Sequence, residues 1–538
     1  MPSSFLTFFE GEEMSEETQV TRNAAVFGGA TVFSRILGLV RTALIASAFG
    51  TSLAASAFFF AYSIPNMLRR LSGEGALGGA FIPVFTEELE KRGQTAAIRL
   101  ANSVALIVSL ILAGVLVVMT LALQTTAFFF ATSKKTVLVA QLTQLMLPYL
   151  FFISLAGFGM AVLNSLNHFF MPAISPAIHN MVLIAALIFL CPLMGQTKEQ
   201  MVYGLAIGVI VGGAIQLAIL YYPLKKKGYV LNTGVYFRGE SLRKVSRLFL
   251  PGVFGLAVSQ INAVVDKLLG FFVRGHETSA PSELFYANLI VELPLAVFGV
   301  SLGVAVFPSL SRLWASERMK DFKRTLSSAL RQAMAISFPA TVGLVLLRDP
   351  IIRVIYQRRA FDAAAAEAVA PVLAGYAVGL FAYTAAKIVV PAFLSLQDAR
   401  TPMRVGLAMT LLDFGLNCVA VFALEIVWGL ALSTSLCAAL QTVILLYILR
   451  RKIGLLGGRQ IALSVLRIAV ATASMGIVVY VALKASGYLW PGAGGWAPVV
   501  ELLFPTVCGL LSYPLFCHLL GVGELRDVLK AFRRGEST

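Results

Sequence analysis

Apolar residues fill this chain in runs of about twenty, divided by short stretches where glycine, proline and charge collect. At ~1.5 Å rise, a helix of about twenty residues covers the ~30 Å hydrocarbon core of a bilayer, so each run is a candidate crossing. The runs fall near 25–49, 53–80, 98–124, 137–162, 170–193, 201–223, 246–273, 282–310, 326–347, 367–395, 402–424, 427–449, 462–485 and 498–520. This pattern predicts an all-α, polytopic membrane protein with about fourteen transmembrane helices. Composition agrees, since 58% of the 538 residues are hydrophobic and 13% charged. A soluble protein that apolar would aggregate.

Charge placement orients the helices. Lysine and arginine gather in cytoplasmic loops. Placing both termini in the cytoplasm puts most of the 43 basic residues on that side, among them Lys225, Lys226, Lys227, Arg243, Lys244, Arg318, Lys320, Arg450 and Arg451. The net charge of +16 is then a consequence of topology, and nucleic-acid binding is not required to explain it. Cys191, Cys418, Cys437, Cys508 and Cys517 all sit in apolar runs without CxxC spacing, as small core residues do. Glu10, Glu12, Glu13, Glu16 and Glu17 follow only a brief apolar patch, which predicts a disordered acidic tail over 1–22 rather than a signal peptide.

An internal repeat divides the remainder. Leu77-Gly78-Gly79-Ala80-Phe81-Ile82-Pro83 recurs as Leu302-Gly303-Val304-Ala305-Val306-Phe307-Pro308, and Ser165-Leu166-Asn167 with Pro172 recurs as Ser395-Leu396-Gln397 with Pro402. Six runs separate the copies, an even number, so the halves share one orientation. The expected plan is two parallel six-helix lobes around a central cavity plus two extra C-terminal helices. The lobes would occupy 23–225 and 246–452, joined by a cytoplasmic linker at 226–245. The extra pair would lie in 453–522, with a basic tail over 523–538.

Polar residues at membrane depth carry the candidate chemistry. Arg35 and Arg41 sit in the first run, where each guanidinium costs roughly 2.5–3.5 kcal/mol if it faces lipid at the bilayer centre. They therefore border a hydrated cationic cavity or pair with carboxylates inside one lobe. Arg69 and Arg70 end the apolar part of the second run, either snorkelling to the interface or forming a gate with Glu74. Asp266, with Asp413 and Asn417 at i, i+4 on one helical face, offers oxygen ligands for sodium or a proton; the alternative for Asp266 is a pair with Lys267. Glu292 and Lys387 suit a gate or structural pairs. Among motifs with a catalytic or nucleotide-binding mechanism, no Walker loop, HExxH or nucleophile elbow occurs, so ATP-driven transport and hydrolysis lack support.

The residues that carry this chemistry also carry a resemblance. SRILGLVR (Ser34 to Arg41), the stretch from Ala57 to Phe85 and FGVSLGVAVFPSLS (Phe298 to Ser311), with the fourteen-run layout, resemble the MurJ (MviN) family. These are bacterial lipid II flippases of the multidrug/oligosaccharidyl-lipid/polysaccharide exporter superfamily, and the similarity covers nearly the whole chain from about Asn23. The resemblance implies a transporter, not an enzyme, that moves lipid II from the cytoplasmic to the outer leaflet by alternating access. It implies that the cavity would bind diphosphate through Ser34, Arg35, Arg41 and Arg69, with Glu74 as the motif glutamate of the second run. The groove of the last two helices would hold the undecaprenyl tail.

The family's sodium-site pattern falls on Asp266, Asp413 and Asn417, with Asp and Asn exchanged in the eleventh run. No cofactor is implied beyond sodium or a proton as coupling ion. The expected setting is a monomer in the bacterial inner membrane, with lipid II, membrane lipids and cell-wall synthesis proteins as partners. Four positions depart from the family pattern: Thr42 and Ser56 replace aspartates, and Asn288-Leu289 stands where an Asp-Arg pair is expected. The alternatives are a cation-coupled multidrug or polysaccharide-lipid exporter of the same superfamily and a polyprenyl-phosphate glycosyltransferase. The former would favour carboxylates and aromatics over arginines, and the latter would need a catalytic carboxylate beside the diphosphate.

Overall fold

The apolar runs fold as helices. A computed structural model describes residues 16–69, 76–130, 133–166, 168–229, 239–276, 278–455, 458–489 and 496–524, and every regular element in them is helical. The first lobe comprises α1 (Glu16–Phe49), α2 (Leu53–Arg69), α3 (Ala76–Arg92), α4 (Gln94–Phe130), α5 (Lys134–Ser165) and α6 (Phe170–Ala185). A π-helical stretch (Ala186–Leu190), the short α7 (Cys191–Met194) and α8 (Lys198–Lys226) complete it. The second comprises α9 (Glu240–Gly270), α10 (Ala280–Pro294), α11 (Ser301–Ala315), α12 (Met319–Leu346), α13 (Arg348–Tyr356), α14 (Ala363–Val378), α15 (Leu380–Ser395), α16 (Arg400–Phe422) and α17 (Val427–Ile453). The C-terminal pair is α18 (Gly458–Leu489) and α19 (Ala497–Leu519).

Twelve helical stretches among the described residues are long and apolar enough to cross a membrane. The other two of the fourteen expected crossings fall on the α2–α3 pair and on α9. The second expected run is described as α2 up to Arg69 and as α3 from Ala76; Arg70 and Glu74 lie outside the described residues. The eighth run is continuous but locally underwound. Pro294 has no N–H to give, and the helix passes through a π-helical stretch at Leu295–Val300 before resuming as α11. The tenth run bends at Gly379 between α14 and α15. Hydropathy did not foresee α13, a nine-residue helix too short and too charged to cross.

Packing is uneven between the two ends of the lobes, and that asymmetry positions the site. One buried apolar cluster unites Phe49, Phe58 and Phe59 of the first lobe with Leu284, Tyr286, Tyr356 and Phe361 of the second. Toward the other end each lobe keeps its own core, around Phe81, Phe85 and Phe158 in the first and around Phe322, Phe393 and Leu449 in the second. Helices α9 and α10 pack on both: the start of α9 meets α3, where Lys244 lies 3.4 Å from Glu87, and α9 also packs on α16, while α10 packs on α2 and α14. The pair α18–α19 leans on α12, fastened where Glu524 accepts from Arg331 (3.0 Å) and Ser464 (2.7 Å).

Candidate functional site

Helix periodicity separates the faces of α1. At 100° per residue, exposed Phe33, Ile36 and Val40 cluster on one side, whereas Arg35 and Arg41 fall on the opposite half, either side of Gly38. Thr42 and Ile45, both buried, mark the centre of that inner half. Six residues of rise place the two positions about 9 Å apart along the axis. Arg35 is exposed and makes no hydrogen bond or ion pair among the described residues. Arg41 is half-buried, one to two turns deeper toward the Gly50 end.

The partners of Arg41 are neutral. Its NH1 donates to Asn180 Oδ1 at 2.8 Å and its NH2 to Thr42 Oγ1 at 3.4 Å, while Nε is buried without an acceptor. No carboxylate pairs with Arg35 or Arg41 among the described residues, which removes the in-lobe ion pair as an explanation for these two. Ser34 enters through its backbone, the carbonyl accepting from Asn180 Nδ2 at 3.0 Å. Arg69, at the end of α2, donates to Asn66 Oδ1 at 3.0 Å. Arg41 and Arg69 both lie within electrostatic reach of His179, so α1 and α2 direct positive charge at one region of the first lobe.

Below Arg41 the lobes close. Arg41, Phe58, Phe59, Tyr62, Leu183 and Phe285 line a crevice too narrow for water. Phe59 stacks on Phe285 across the lobe boundary with ring centroids 3.8 Å apart, a contact that adds about 0.5–1.5 kcal/mol beyond area burial. Ser56 Oγ donates to Ser282 Oγ at 3.1 Å, so a position where the family pattern has aspartate here makes an uncharged bond between lobes. Lys135 of α5 reaches the Phe271 carbonyl at 3.0 Å.

A second constellation lies in the other lobe. Asp266 on α9 and Asp413 and Asn417 on α16, three residues singled out by sequence, come together with Asn262. Asn417 Nδ2 donates to Asp266 Oδ1 at 2.8 Å and to Asp413 Oδ2 at 3.4 Å, and Asn262 Nδ2 donates to Asp413 Oδ2 at 2.7 Å. All three predicted members are buried, and Asp413 Oδ1 and Asn417 Oδ1 have no donor among the described residues. Two buried carboxylates close together repel, and two spare oxygens beside them form a set that a hard cation or a proton would satisfy. Lys267 is half-buried and bonds to the Ala263 carbonyl at 3.2 Å. Glu292 is exposed and accepts from Asn288 at 3.1 Å, and Lys387 is exposed on α15.

Sequence reasoning missed Asn180, Asn262 and Tyr286. None is charged, and each acts across a long sequence separation, from 139 to 236 residues. A polar residue within an apolar run was the only signal available.

Comparison with known proteins follows this geometry. A family model described as "Lipid II flippase MurJ" matches residues 45–491. The chain is 31% identical to the probable lipid II flippase MurJ of Rhizobium tropici, over 94% of this chain and 96% of that one. It is also 31% identical to the lipid II flippase MurJ of Burkholderia cenocepacia, over 79% and 82%. A solved structure titled "Lipid II flippase MurJ, inward closed conformation" superposes with a TM-score of 0.75 at 26% identity, covering 94% of this chain and all of that one. An inward-facing multidrug resistance MATE family transporter of the MOP superfamily shares the fold at a TM-score of 0.66 and 15% identity, over 80% and 98%.

Proposed function

This chain belongs to the lipid II flippase MurJ family, and from that membership we propose that it carries lipid II from the cytoplasmic to the outer leaflet by alternating access. It is a transporter, not an enzyme. Lipid II joins a diphosphate to a long polyprenyl tail and a bulky hydrophilic head, so the protein must shelter an anion within the membrane. Arg35, Arg41 and Arg69 receive the diphosphate, because forked guanidinium donors match its oxygens and are strongest where water is scarce. The observation that carries this reading is that Arg35 and Arg41 both sit on the inner half of α1 without a carboxylate partner among the described residues. Unneutralised positive charge at membrane depth needs an anion. The α18–α19 pair receives the tail.

The Asp266, Asp413 and Asn417 cluster is the coupling site in this proposal, for sodium or a proton. A bound cation there supplies positive charge that offsets the two carboxylates. Helix α9 bears Asp266 and also packs on α3, so the charge state of the cluster bears on how the lobes sit together. Glu292 and Lys387, with Arg70 and Glu74, serve gating or structural roles. The protein works as a monomer in the bacterial inner membrane with both termini cytoplasmic, among membrane lipids and cell-wall synthesis proteins.

Depletion complementation tests the assignment. A bacterium whose own flippase of this family is depleted should regain externally accessible lipid II when this chain is expressed. Correct membrane insertion without that recovery would falsify the reading.

A further inference from the structure

Asn180 holds both ends of the arginine segment of α1. Its Oδ1 accepts from Arg41 NH1 at 2.8 Å, and its Nδ2 donates to the Ser34 carbonyl at 3.0 Å. Those partners fix the amide orientation, since a guanidinium only donates and a carbonyl only accepts. The bonds straddle Gly38, whose added Cβ would come within 3.6 Å of Asn180 Nδ2. Asn180 is 7% exposed, so its own rotamer is set by burial between α6 and α1. Arg41 has five N–H donors, of which the two bonds to Asn180 and Thr42 use two. Three stay available, including the buried Nε without an acceptor.

We infer that Asn180 is a positioning residue for diphosphate recognition: it aims the Arg41 guanidinium through a neutral amide and thereby leaves its positive charge free for the ligand. This rests on the lipid II reading above and adds to it a residue on another helix that never touches substrate. The chemistry explains why the acceptor is an amide. A carboxylate in the same place would orient Arg41 equally well but would form a half-buried ion pair with it, and the anionic ligand would have to displace that pair.

The test measures lipid II affinity for purified wild type, Asn180→Asp, Asn180→Ala, Arg41→Ala and the Asn180→Asp/Arg41→Ala double variant. Binding by wild type addresses the lipid II reading separately. Asn180→Asp should weaken binding by about tenfold and Asn180→Ala by less, whereas the double variant should bind no worse than Arg41→Ala, because the effect passes through that guanidinium. A purely structural residue would instead weaken binding additively in the Arg41→Ala background. Full additivity, or wild-type affinity in Asn180→Asp, overturns the inference. If the aspartate variant does not fold, the same cycle run with Asn180→Ala decides it by the same criterion.

Discussion

Tyr286 donates its hydroxyl to the carbonyl of Gly50 over 3.0 Å, tying α10 of the second lobe to the turn that ends α1 of the first. The neighbouring bonds repeat that connection: Ala360 N–H to the Ser47 carbonyl at 3.1 Å and Ser56 to Ser282 at 3.1 Å. Two backbone carbonyls and two small hydroxyls thus seal one end of the molecule. Such a seal is strong enough to exclude water and weak enough to open, since each bond nets only about 0.5–1.5 kcal/mol.

Gly50 should be the most sensitive point of that seal. It has φ +62°, and a Cβ there would lie 2.2 Å from the Ala360 carbonyl oxygen. Gly50→Ala therefore meets a backbone clash on top of a left-handed strain of roughly 1–2 kcal/mol. The expected outcome is a bias toward opening at this end. In a cysteine-free background, a cysteine at Ser282 should react faster with an impermeant thiol reagent when Gly50→Ala is present. Equal labelling rates would count against the closure assigned to these contacts.

The opposite manipulation should lock the seal. Ser56 and Ser282 face each other closely enough for their hydroxyls to bond. Cysteines at both positions should form a disulfide under mild oxidation and arrest flipping, and reduction should restore it. Continued flipping by the fully oxidised protein would show that the two lobes need not part here.

Removing the membrane-depth arginines should separate binding from assembly. Arg41→Ala deletes the guanidinium that Asn180 aims, and Arg35→Ala deletes the exposed one. Each should lower flipping by roughly 100-fold, the scale of losing a charge-assisted contact of about 2–3 kcal/mol. Expression and thermal unfolding should change little, because neither side chain has a charged partner to abandon. Arg41→Lys should recover only part of the activity, since an ammonium lacks the planar fork. Wild-type flipping in both alanine variants would remove the arginines from the mechanism.

Much of this architecture was legible in the sequence because bilayer thickness imposes a length on every apolar run. The repeat and the arginines of α1 were equally visible, as charge in an apolar run always is. The same logic brought Asp266, Asp413 and Asn417 together, since i, i+4 spacing on α16 needed only one facing helix. What escaped was neutral and non-local. Asn180, Tyr286 and the small residues at the lobe boundary differ little from ordinary helix residues until the fold sets them opposite a guanidinium or a carbonyl.

Acid should reveal the cap of α16. Asp398 accepts from Thr401 N–H at 3.0 Å and Thr401 Oγ1 at 2.6 Å and is ion-paired with Lys452. Partial burial pushes its carboxyl up, but the bonds from Lys452 and Thr401 outweigh this and bring it to about 2, against an ordinary 3.8. A carboxyl held low stabilises the fold above its unfolded value and loses that contribution as pH falls toward the folded one. Asp398→Asn should thus be less stable than wild type at neutral pH, and the gap should close between about pH 4 and pH 2. Thermal unfolding in detergent across that range is the check, and a gap independent of pH would exclude the ion pair as its source.

The paired carboxylates give the most direct view of energy coupling. Asp266 and Asp413 share Asn417 as a donor, and Asp413 Oδ1 and Asn417 Oδ1 point to no partner among the described residues. If a sodium ion completes this set, its binding should stabilise the protein by RT ln(1 + [L]/Kd), so the melting temperature should climb with sodium at constant ionic strength. Potassium or choline at equal ionic strength should give no such climb. Asp266→Asn removes one negative charge and should flatten the dependence. A proton in place of sodium would produce a different signature, with flipping indifferent to sodium but dependent on pH, and that dependence abolished by the same Asp266→Asn change. Flipping that responds to neither ion would leave the cluster a structural tie between α9 and α16.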